Sequence, residues 1–466
     1  MPDIAHVVVL MLENRSFDCM LGRLYPSRVD FNGLKGIEKN CSNGVDYPVW
    51  TSGPALDPQN ASIPHVDPGE RFTDMNDQIF GAGNVPPAPA TMAGFVENYL
   101  AQNATNDPEA VMHGFSPEQV PVLSTLAKSF GVSDSWHASA PNQTWPNRFF
   151  MHTGTAAGYV NNSPTHFPYV MPTIFNRLSE NQRSWKIYHH DIPQAATLSA
   201  IWAELPDKLA SFESDFMTDA MAGRLPNYSF IEPRYFADPA LNRMPNDQHP
   251  PHNVSYGERL IARCYDALRH GAGWKQTLFI ITYDEHGGIY DHVPPPIAMS
   301  PDNLRSDGFA FDRYGVRVPA VLISPWIPAG SIVRPPASSP YPFDHTSVLA
   351  TLRKLFQLGA PLSQRDAVAP DLLDALSLPA PTNDGPDSIP VPMVSSSADE
   401  IAAALNAPAN DFQKALAKLA DNLPDGLAFV KTQIDALATS PGTGAAPDTV
   451  AEALKVVMNG LERFLG

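Results

Sequence analysis

The stretch that decides the fold is HVVVLML, residues 6–12, and the polar pair Glu13-Asn14 follows it directly. The run is apolar and rich in β-branched side chains, which is typical of a parallel strand that is covered on both faces. Ligands of open α/β sheets bind outside the carboxyl ends of such strands. The sequence therefore predicts that Glu13 and Asn14 lie at an active-site edge. The same residues also suit a simple helix start that is capped by Asn14 or Ser16.

A second strand of the same design ends in an acidic pair. Residues 278–283, LFIITY, are apolar and lead directly into Asp284-Glu285. If the two strands lie side by side in one sheet, they present four oxygen ligands, namely Glu13, Asn14, Asp284 and Glu285. Such a set suits a hard or borderline divalent cation better than a soft one. The alternative is a loop whose acidic side chains are merely solvated.

A third stretch, TWPNR at residues 144–148, supplies a hydroxyl group. Pro146 is typical of the first turn of a helix, so the Thr144 hydroxyl is predicted to lie near a helix N-terminus, where free N–H groups and the helix dipole favour anions. A hydroxyl beside a metal ion ionises more readily and can attack phosphorus. An ordinary threonine N-cap is the alternative.

Four blocks in this order resemble a known family. They are ENRSFD at 13–18, TWPNR at 144–148, DEHGGIYDHV at 284–293, and GVRVP at 315–319 running to ISPW at 323–326. The chain resembles the phosphoesterase superfamily that contains bacterial phosphatidylcholine-type phospholipases C, plant non-specific phospholipases C and AcpA-like acid phosphatases. The blocks cover most of residues 1–360.

The resemblance implies a site with one divalent metal ion and a covalent intermediate. The implied metal ligands are Glu13, Asn14, Asp284 and Glu285. Thr144 is implied to be the nucleophile, which also touches the metal and passes through a phosphothreonine. Threonine at this place is similar to the phospholipases, whereas the acid phosphatases have a serine. One departure is Cys19, because the family usually has a histidine there.

Histidines are candidates for proton transfer, because the histidine pKa lies near working pH. Four are considered: His189, His190, His249 and His252. A structural role for each of them is the alternative. Four further residues are expected behind the ligands, where they orient them: Asp291, His292, Asn147 and Arg148.

The order of segments predicts an α/β fold. Strand-like runs at 6–12, 186–190, 227–231, 278–284 and 317–324 alternate with helix-like stretches at 117–130, 256–269 and 346–357. This alternation is typical of a mainly parallel sheet. The resemblance implies the alkaline-phosphatase-like version, a three-layer α/β/α sandwich with a C-terminal helical extension.

The composition changes near residue 375 and divides the chain. We expect a catalytic phosphoesterase domain at 1–378, a Pro/Ser-rich linker at 379–396 and a helical extension at 397–466. Apolar residues at helical spacing within 412–419, 427–437 and 450–461 predict three or four amphipathic helices. Packing on the catalytic domain is the favoured role, because their polar faces lack the Lys and Arg of lipid-surface helices. A role in oligomers stays open, as does the oligomeric state.

Composition restricts the partners. The formal net charge is −18 and no basic run stands out, so nucleic acid is not an expected partner. No apolar stretch has spanning length, so no transmembrane anchor is expected. No leader precedes the first strand, which predicts a cytoplasmic protein as the chain is written. The family resemblance leaves a secreted or periplasmic location open.

The predicted function is hydrolysis of a phospholipid or of a small phosphate ester. The first interpretation is a phospholipase C acting on phosphatidylcholine-like phosphodiesters. The alternatives are a broad-specificity acid phosphatase and, outside the enzymes, an inactive module that binds a metal or a phosphate ligand. Sulfatase chemistry is disfavoured because the sequence has no Cys-x-Pro-x-Arg motif to supply a formylglycine.

Overall fold

A large mixed sheet forms the centre of the protein. The computed structural model describes residues 2–54, 57, 59–306, 308–423 and 446–465. The strands within these ranges are β1 (His6–Leu12), β2 (Lys39–Ser42), β3 (Val45–Pro48), β4 (Gly131–Ser133), β5 (Trp185–His189), β6 (Leu209–Ser211), β7 (Tyr228–Ile231), β8 (Thr277–Tyr283), β9 (Ala320–Ile323) and β10 (Ser331–Ile332). The hairpin β2–β3 stands apart, and the other strands form one sheet in the order β10-β4-β9-β8-β1-β7-β5-β6.

Helices pack around this sheet. Those of the described ranges are α1 (Phe17–Met20), α2 (Phe72–Phe80), α3 (Phe95–Gln102), α4 (Pro121–Ser129), α5 (Thr144–Thr153), α6 (Ile174–Glu180), α7 (Leu205–Lys208), α8 (Met217–Met221), α9 (Val254–Arg269), α10 (Thr346–Phe356), α11 (Gln364–Val368), α12 (Ala398–Asn406), α13 (Asp411–Asn422) and α14 (Val450–Leu465). One helix group contains α4 and α9, and another contains α5, α6 and α10. Every residue of β8 is buried, so helices and loops cover both faces of the sheet.

The predicted α/β architecture is confirmed. Each of the five predicted strand runs overlaps an observed strand, and all neighbouring strands pair in parallel except β9, which is antiparallel to β8 and β4. The chain returns from β8 to β9 without a helical crossover, and such a return permits an antiparallel neighbour. The strands β4, β6 and β10 were not predicted, because runs of two or three residues carry no readable periodicity.

The register of β1 against β8 positions the site. Leu12 lies opposite Tyr283, and the Asp284 N–H donates to the Leu12 carbonyl at 3.2 Å. Because the two strands are parallel, Glu13 and Asp284 leave the same edge of the sheet as neighbours. The apolar strands bury this edge, since β1 is buried at every position after His6.

The C-terminal helices pack on the rest of the protein. Phe412 of α13 lies with its ring centroid 4.9 Å from that of Tyr235, and Phe464 of α14 lies 6.1 Å from Trp202. Leu416 and Leu419 are buried in the same core cluster as the sheet. The predicted helical positions within 427–437 lie outside the described residues. No helix of the described ranges has the length and apolar content that a membrane crossing requires.

A distant carboxyl group caps α4. Glu258 of α9 is fully buried, and its Oε2 accepts from the Val122 N–H at 2.5 Å and from the Leu123 N–H at 3.4 Å. Burial raises the pKa of Glu258 to about 8, although the two N–H groups act in the opposite direction. This side chain therefore holds a proton over a pH range in which a glutamate of the unfolded chain is ionised.

We expect Glu258→Ala to lower the free energy of unfolding by about 1–3 kcal/mol, because two buried N–H groups lose their acceptor. Glu258→Gln keeps an acceptor oxygen and should cost less. In wild type, the stability from the bound proton is complete below the unfolded pKa of about 4.3. That stability is lost as the pH rises through about 8. Glu258→Gln should not show this loss.

Urea unfolding across this pH range measures both effects. The matched control is Asp266→Ala on the exposed side of α9, which should change stability by less than about 0.5 kcal/mol. Equal effects of Glu258→Ala and the control would contradict the capping role.

Candidate active site

The four predicted ligand residues converge at the edge of the sheet. The Asn14 N–H donates to Asp284 Oδ1 at 3.0 Å, and the Glu285 N–H donates to the same oxygen at 2.7 Å. Asn14 has a φ of +51°, a left-handed conformation that asparagine tolerates better than most residues. This turn ends β1, and Ser16 then caps α1 by accepting from the Cys19 N–H. The segment after β1 therefore both contributes to the ligand cluster and starts α1.

Three oxygens of this cluster have no hydrogen-bond partner within the described part of the chain: Asn14 Oδ1, Asp284 Oδ2 and Glu285 Oε1. All three side chains are fully buried, and a buried acceptor without a partner is costly. A divalent cation ligated by oxygen would satisfy them together. The cluster therefore fits the metal ion that the sequence predicted, with Glu13, Asn14, Asp284 and Glu285 as its holders.

Arg148 is the cation that contacts these acids directly. Its guanidinium donates to Glu13 Oε1 and, at 2.9 Å, to Glu232 Oε2, and it approaches Asp284 Oδ2 at 3.8 Å. Burial raises the pKa of Glu13 and of Asp284, and the Arg148 charge opposes the rise at both. Burial also raises the pKa of Glu285. One guanidinium does not balance these carboxyl groups, which is a further reason why the cluster suits a divalent cation.

Thr144 lies where the sequence placed it. It is the first residue of α5, and the N-cap is Gln143, so Thr144 is not the ordinary cap that was the alternative. Its Oγ1 lies 3.4 Å from Glu13 Oε2. The preceding loop is fixed by Asn147, whose amide donates to the Asn142 carbonyl at 2.7 Å. The hydroxyl is therefore buried, held beside the ligand cluster and free of a capping role.

Glu70 is a residue of the site that the sequence did not reveal. Its Oε1 accepts from Asn14 Nδ2 at 2.5 Å. Because one end of the Asn14 amide is held in this way, Oδ1 at the other end is left to face a ligand. Glu70 lies in an irregular segment before α2, where neither periodicity nor a strand end marks it. Glu232, in contrast, directly follows β7, so the strand-end rule that found Glu13 and Asp284 also applies to it.

His252 differs from the other candidate histidines in its partner. Its Nδ1 lies 2.7 Å from Asp247 Oδ1, and the Asp247 carbonyl accepts from the Glu13 N–H at 2.8 Å. A carboxylate on Nδ1 fixes the ring and the tautomer and leaves Nε2 for proton transfer. His249 instead contacts the Pro250 carbonyl through Nδ1, and its Nε2 lies 3.6 Å from Glu70 Oε1.

The pair at the end of β5 is held by backbone carbonyls. His189 Nδ1 lies 2.6 Å from the Asp191 carbonyl, and His190 Nδ1 lies 3.0 Å from the Glu232 carbonyl. Burial lowers the pKa of His190 to about 3, and it lowers the pKa of His249 to about 4. Both imidazoles are therefore neutral near pH 7.

The structure does not bring Asp291 and His292 into contact with the ligand cluster. They form a separate ion network with Arg317 and Asp18, in which Arg317 Nε donates to Asp291 Oδ1 at 3.0 Å and His292 Nδ1 lies 2.6 Å from Asp18 Oδ2. This network fixes α1 and the loop after β8. Its contribution to the site is to hold the segments that follow Asn14 and Glu285 in place.

Comparison with known proteins identifies the family of the chain. The profile of the Phosphoesterase family matches residues 4–359. The chain belongs to this family. It is 39% identical over 405 residues to non-specific phospholipase C1 of Arabidopsis thaliana, covering 83% of this chain and 74% of that protein. It is 27% identical over 438 residues to phospholipase C A of Mycobacterium tuberculosis, covering 82% and 78%.

Among solved structures, this phosphoesterase is similar to a protein in the alkaline phosphatase superfamily from Vibrio parahaemolyticus. The TM-score is 0.33 at 13% sequence identity, with coverage of 54% of this chain and 63% of that one. Together with the curated relatives, the family match establishes that the phosphoesterase is a hydrolase acting on phosphoester bonds.

We expect Glu70→Ala to weaken metal binding by about 10–100-fold, because the Asn14 amide loses the acceptor that orients it. Metal titration of the purified phosphoesterase, followed by elemental analysis after dialysis, measures the change without reference to turnover. Glu97→Ala is the matched control, since it removes the same charge from an exposed position on α3. Unchanged metal affinity in Glu70→Ala, or an equal loss in the control, would contradict the orienting role.

Proposed function

We propose that this phosphoesterase is a metal-dependent phospholipase C that hydrolyses phosphatidylcholine-like phosphodiesters through a phosphothreonine. The observation that carries the proposal is the Thr144 hydroxyl, which lies at the N-terminus of α5 and 3.4 Å from Glu13. It adjoins a cluster in which three buried oxygens lack hydrogen-bond partners within the described residues. The names of the relatives in Arabidopsis and Mycobacterium support a phospholipase C.

Glu13, Asn14, Asp284 and Glu285 are the residues that would hold the ion, with Thr144 touching it. A bound divalent ion supplies Lewis-acid chemistry: it lowers the pKa of a hydroxyl and offsets the charge of the phosphoryl oxygens. Arg148 fixes the Glu13 carboxylate, and Glu70 fixes the Asn14 amide. These contacts hold the site ready before the substrate arrives.

The first step is an in-line attack by Thr144 Oγ1 on phosphorus. The Thr144 hydroxyl gives its proton to solvent as a bond forms between its oxygen and phosphorus. The bond from phosphorus to the glycerol oxygen breaks, and phosphorylcholine is carried on Thr144. The departing glycerol oxygen takes a proton and leaves as diacylglycerol. In the second step water attacks the same phosphorus, the bond to Thr144 Oγ1 breaks, and phosphorylcholine is released while the threonine regains its proton.

We assign the proton on the departing oxygen to His252. The Asp247 carboxylate holds its Nδ1, which fixes the ring and leaves Nε2 for proton transfer. The side chain is 17% exposed, whereas that of His249 is 1% exposed, so His252 is more accessible to a leaving group. His189, His190 and His249 are then neutral imidazoles without a role in this proton transfer.

The nucleophile is tested by Thr144→Val, which replaces the attacking oxygen by a methyl group of nearly equal volume. Turnover should fall by several orders of magnitude while the fold and bound metal persist, and Thr144→Ser should retain part of the activity. Mass spectrometry of acid-quenched wild type should find phosphorylcholine on the peptide that contains Thr144. Thr165→Val, at an exposed position, is the control. Near-normal turnover by Thr144→Val would remove the covalent mechanism.

Substrate class is tested with phosphatidylcholine, p-nitrophenylphosphorylcholine and p-nitrophenyl phosphate on one preparation. We expect faster cleavage of both choline diesters than of the monoester. If kcat/KM for the monoester exceeds both by about tenfold, equal to about 1.4 kcal/mol, the acid-phosphatase alternative replaces the phospholipase. No activity on any of the three, with metal bound, would favour the inactive binding module.

The same substrates test His252. His252→Ala should slow cleavage of phosphatidylcholine, whose alkoxide needs a proton, more than cleavage of the p-nitrophenyl diester, whose phenolate leaves unaided. Equal losses on both diesters would contradict the assignment of His252 as the proton donor.

A further inference from the structure

A cavity of about 390 Å³ lies between α9, the loop before it and the segment 394–396. This volume is within the range of about 300–1,000 Å³ that is typical of small-molecule sites. The residues that line it include four arginines: Arg234, Arg243, Arg259 and Arg263. None of these residues belongs to the metal cluster or to the proposed reaction.

The cavity has an excess of positive charge. Glu213 is the only carboxylate among its lining residues, so the four guanidinium groups give it a formal charge of +3 within a chain of formal charge −18. Glu213 accepts from Arg263 at 2.8 Å, from Arg234 at 3.3 Å and from Arg243. One carboxylate therefore holds three guanidinium groups together and cannot neutralise them.

Donor capacity is also left over. A guanidinium group offers five N–H donors. Among the described residues, Arg243 places only Nη1 in a hydrogen bond, to Glu213, and Arg259 places only Nη1 in one, to the Val394 carbonyl at 2.5 Å. Most donors of these two side chains have no protein acceptor, and planar guanidinium donors match the oxygens of a phosphate group in pairs.

The wall formed by the predicted linker is fixed in place. The Asn242 amide donates to the Ser396 carbonyl at 2.6 Å, and the Ser396 hydroxyl donates to the Asn242 carbonyl at 2.6 Å. With the bond from Arg259 to Val394, these contacts attach the segment on two sides of the cavity. Three hydrogen bonds therefore fix this wall of the cavity to the rest of the fold.

The buried imidazole of His190, next to Glu213, is an independent observation. His190 Nε2 has no hydrogen-bond partner in the described part of the chain, its side chain is fully buried, and it lies 3.8 Å from Glu213 Oε1. The ring stacks on Phe212 with centroids 4.5 Å apart. Because Nδ1 faces the Glu232 carbonyl, Nε2 of this neutral ring is an acceptor, and the Glu213 carboxylate does not satisfy it.

We propose that this arginine cavity is a second binding site that takes a phosphate group, separate from the metal cluster. The group comes either from a free phosphate ester or from a lipid headgroup, and both sources share the chemistry that paired guanidinium donors recognise. The site stands on its own contacts and does not depend on the proposed function.

The test is calorimetric titration of the metal-loaded protein with inorganic phosphate. Wild type should bind two phosphates, one at the metal cluster and one in the cavity, and the double variant Arg243→Gln/Arg259→Gln should bind one. Phosphate should inhibit hydrolysis of p-nitrophenylphosphorylcholine equally in both proteins, because the metal cluster is intact. The control Arg224→Gln, which removes an exposed guanidinium from outside the cavity, should bind two.

Arg259→Gln alone covers the case in which the double variant is unstable, because Arg259 does not contact Glu213. Its affinity for the second phosphate should fall by at least about tenfold, or about 1.4 kcal/mol. Glycerol 3-phosphate and phosphatidylcholine vesicles containing phosphatidic acid then distinguish a soluble ester from a headgroup. Equal numbers of phosphates bound with equal affinity by wild type and both variants would overturn the proposal, whether or not the metal cluster binds one of them.

Discussion

The site depends on the parallel pairing of β1 and β8. Both strands are apolar and buried, and their register makes Glu13 and Asp284 neighbours at one edge of the sheet. Carboxylates in such a position need a positive partner, because burial without one is costly. Arg148 supplies a single charge, and the three oxygens without hydrogen-bond partners among the described residues belong to side chains that the sequence predicts as metal ligands. Because the apolar strands bury their polar ends, the carboxylates there are costly unless a cation binds them.

Arg148 also connects this edge to the C-terminal helices. Its second partner is Glu232, which accepts a hydrogen bond from the Tyr235 hydroxyl. The Tyr235 carbonyl in turn accepts from Gln413 of α13 at 3.0 Å, and the Tyr235 ring packs against Phe412. A helix that the family profile does not cover therefore contacts Tyr235, which binds Glu232, a partner of the arginine that holds the predicted metal ligand Glu13. The packing expected for the extension has a direct physical link to the site.

The sequence predicts those features that short-range patterns determine. A continuous apolar run followed by acids identified the two strand ends, and Pro146 located Thr144 at the start of α5. Residues that act through tertiary contacts were not predicted: Glu70 lies in an irregular loop, and only the folded chain shows that it holds Asn14. Asp291 follows the ligands closely in sequence, yet the loop directs it to Arg317. Adjacency in sequence is informative within a strand and loses its meaning once the chain enters a loop.

The segment from Glu232 to Asp247 separates charges of opposite sign. Glu232 contacts the predicted metal site through Arg148, and the Asp247 backbone carbonyl accepts from the Glu13 N–H. Arg234 lines the arginine cavity instead. Two hydrogen bonds between Arg234 and Asn246 fix the arrangement: the Asn246 N–H donates to the Arg234 carbonyl at 3.0 Å, and the Arg234 N–H donates to Asn246 Oδ1 at 2.5 Å. Glu232 and Arg234, which carry opposite charges and lie two residues apart, therefore contact different sites. Glu213, and not the carboxylates of the proposed metal site, holds three arginines of the cavity.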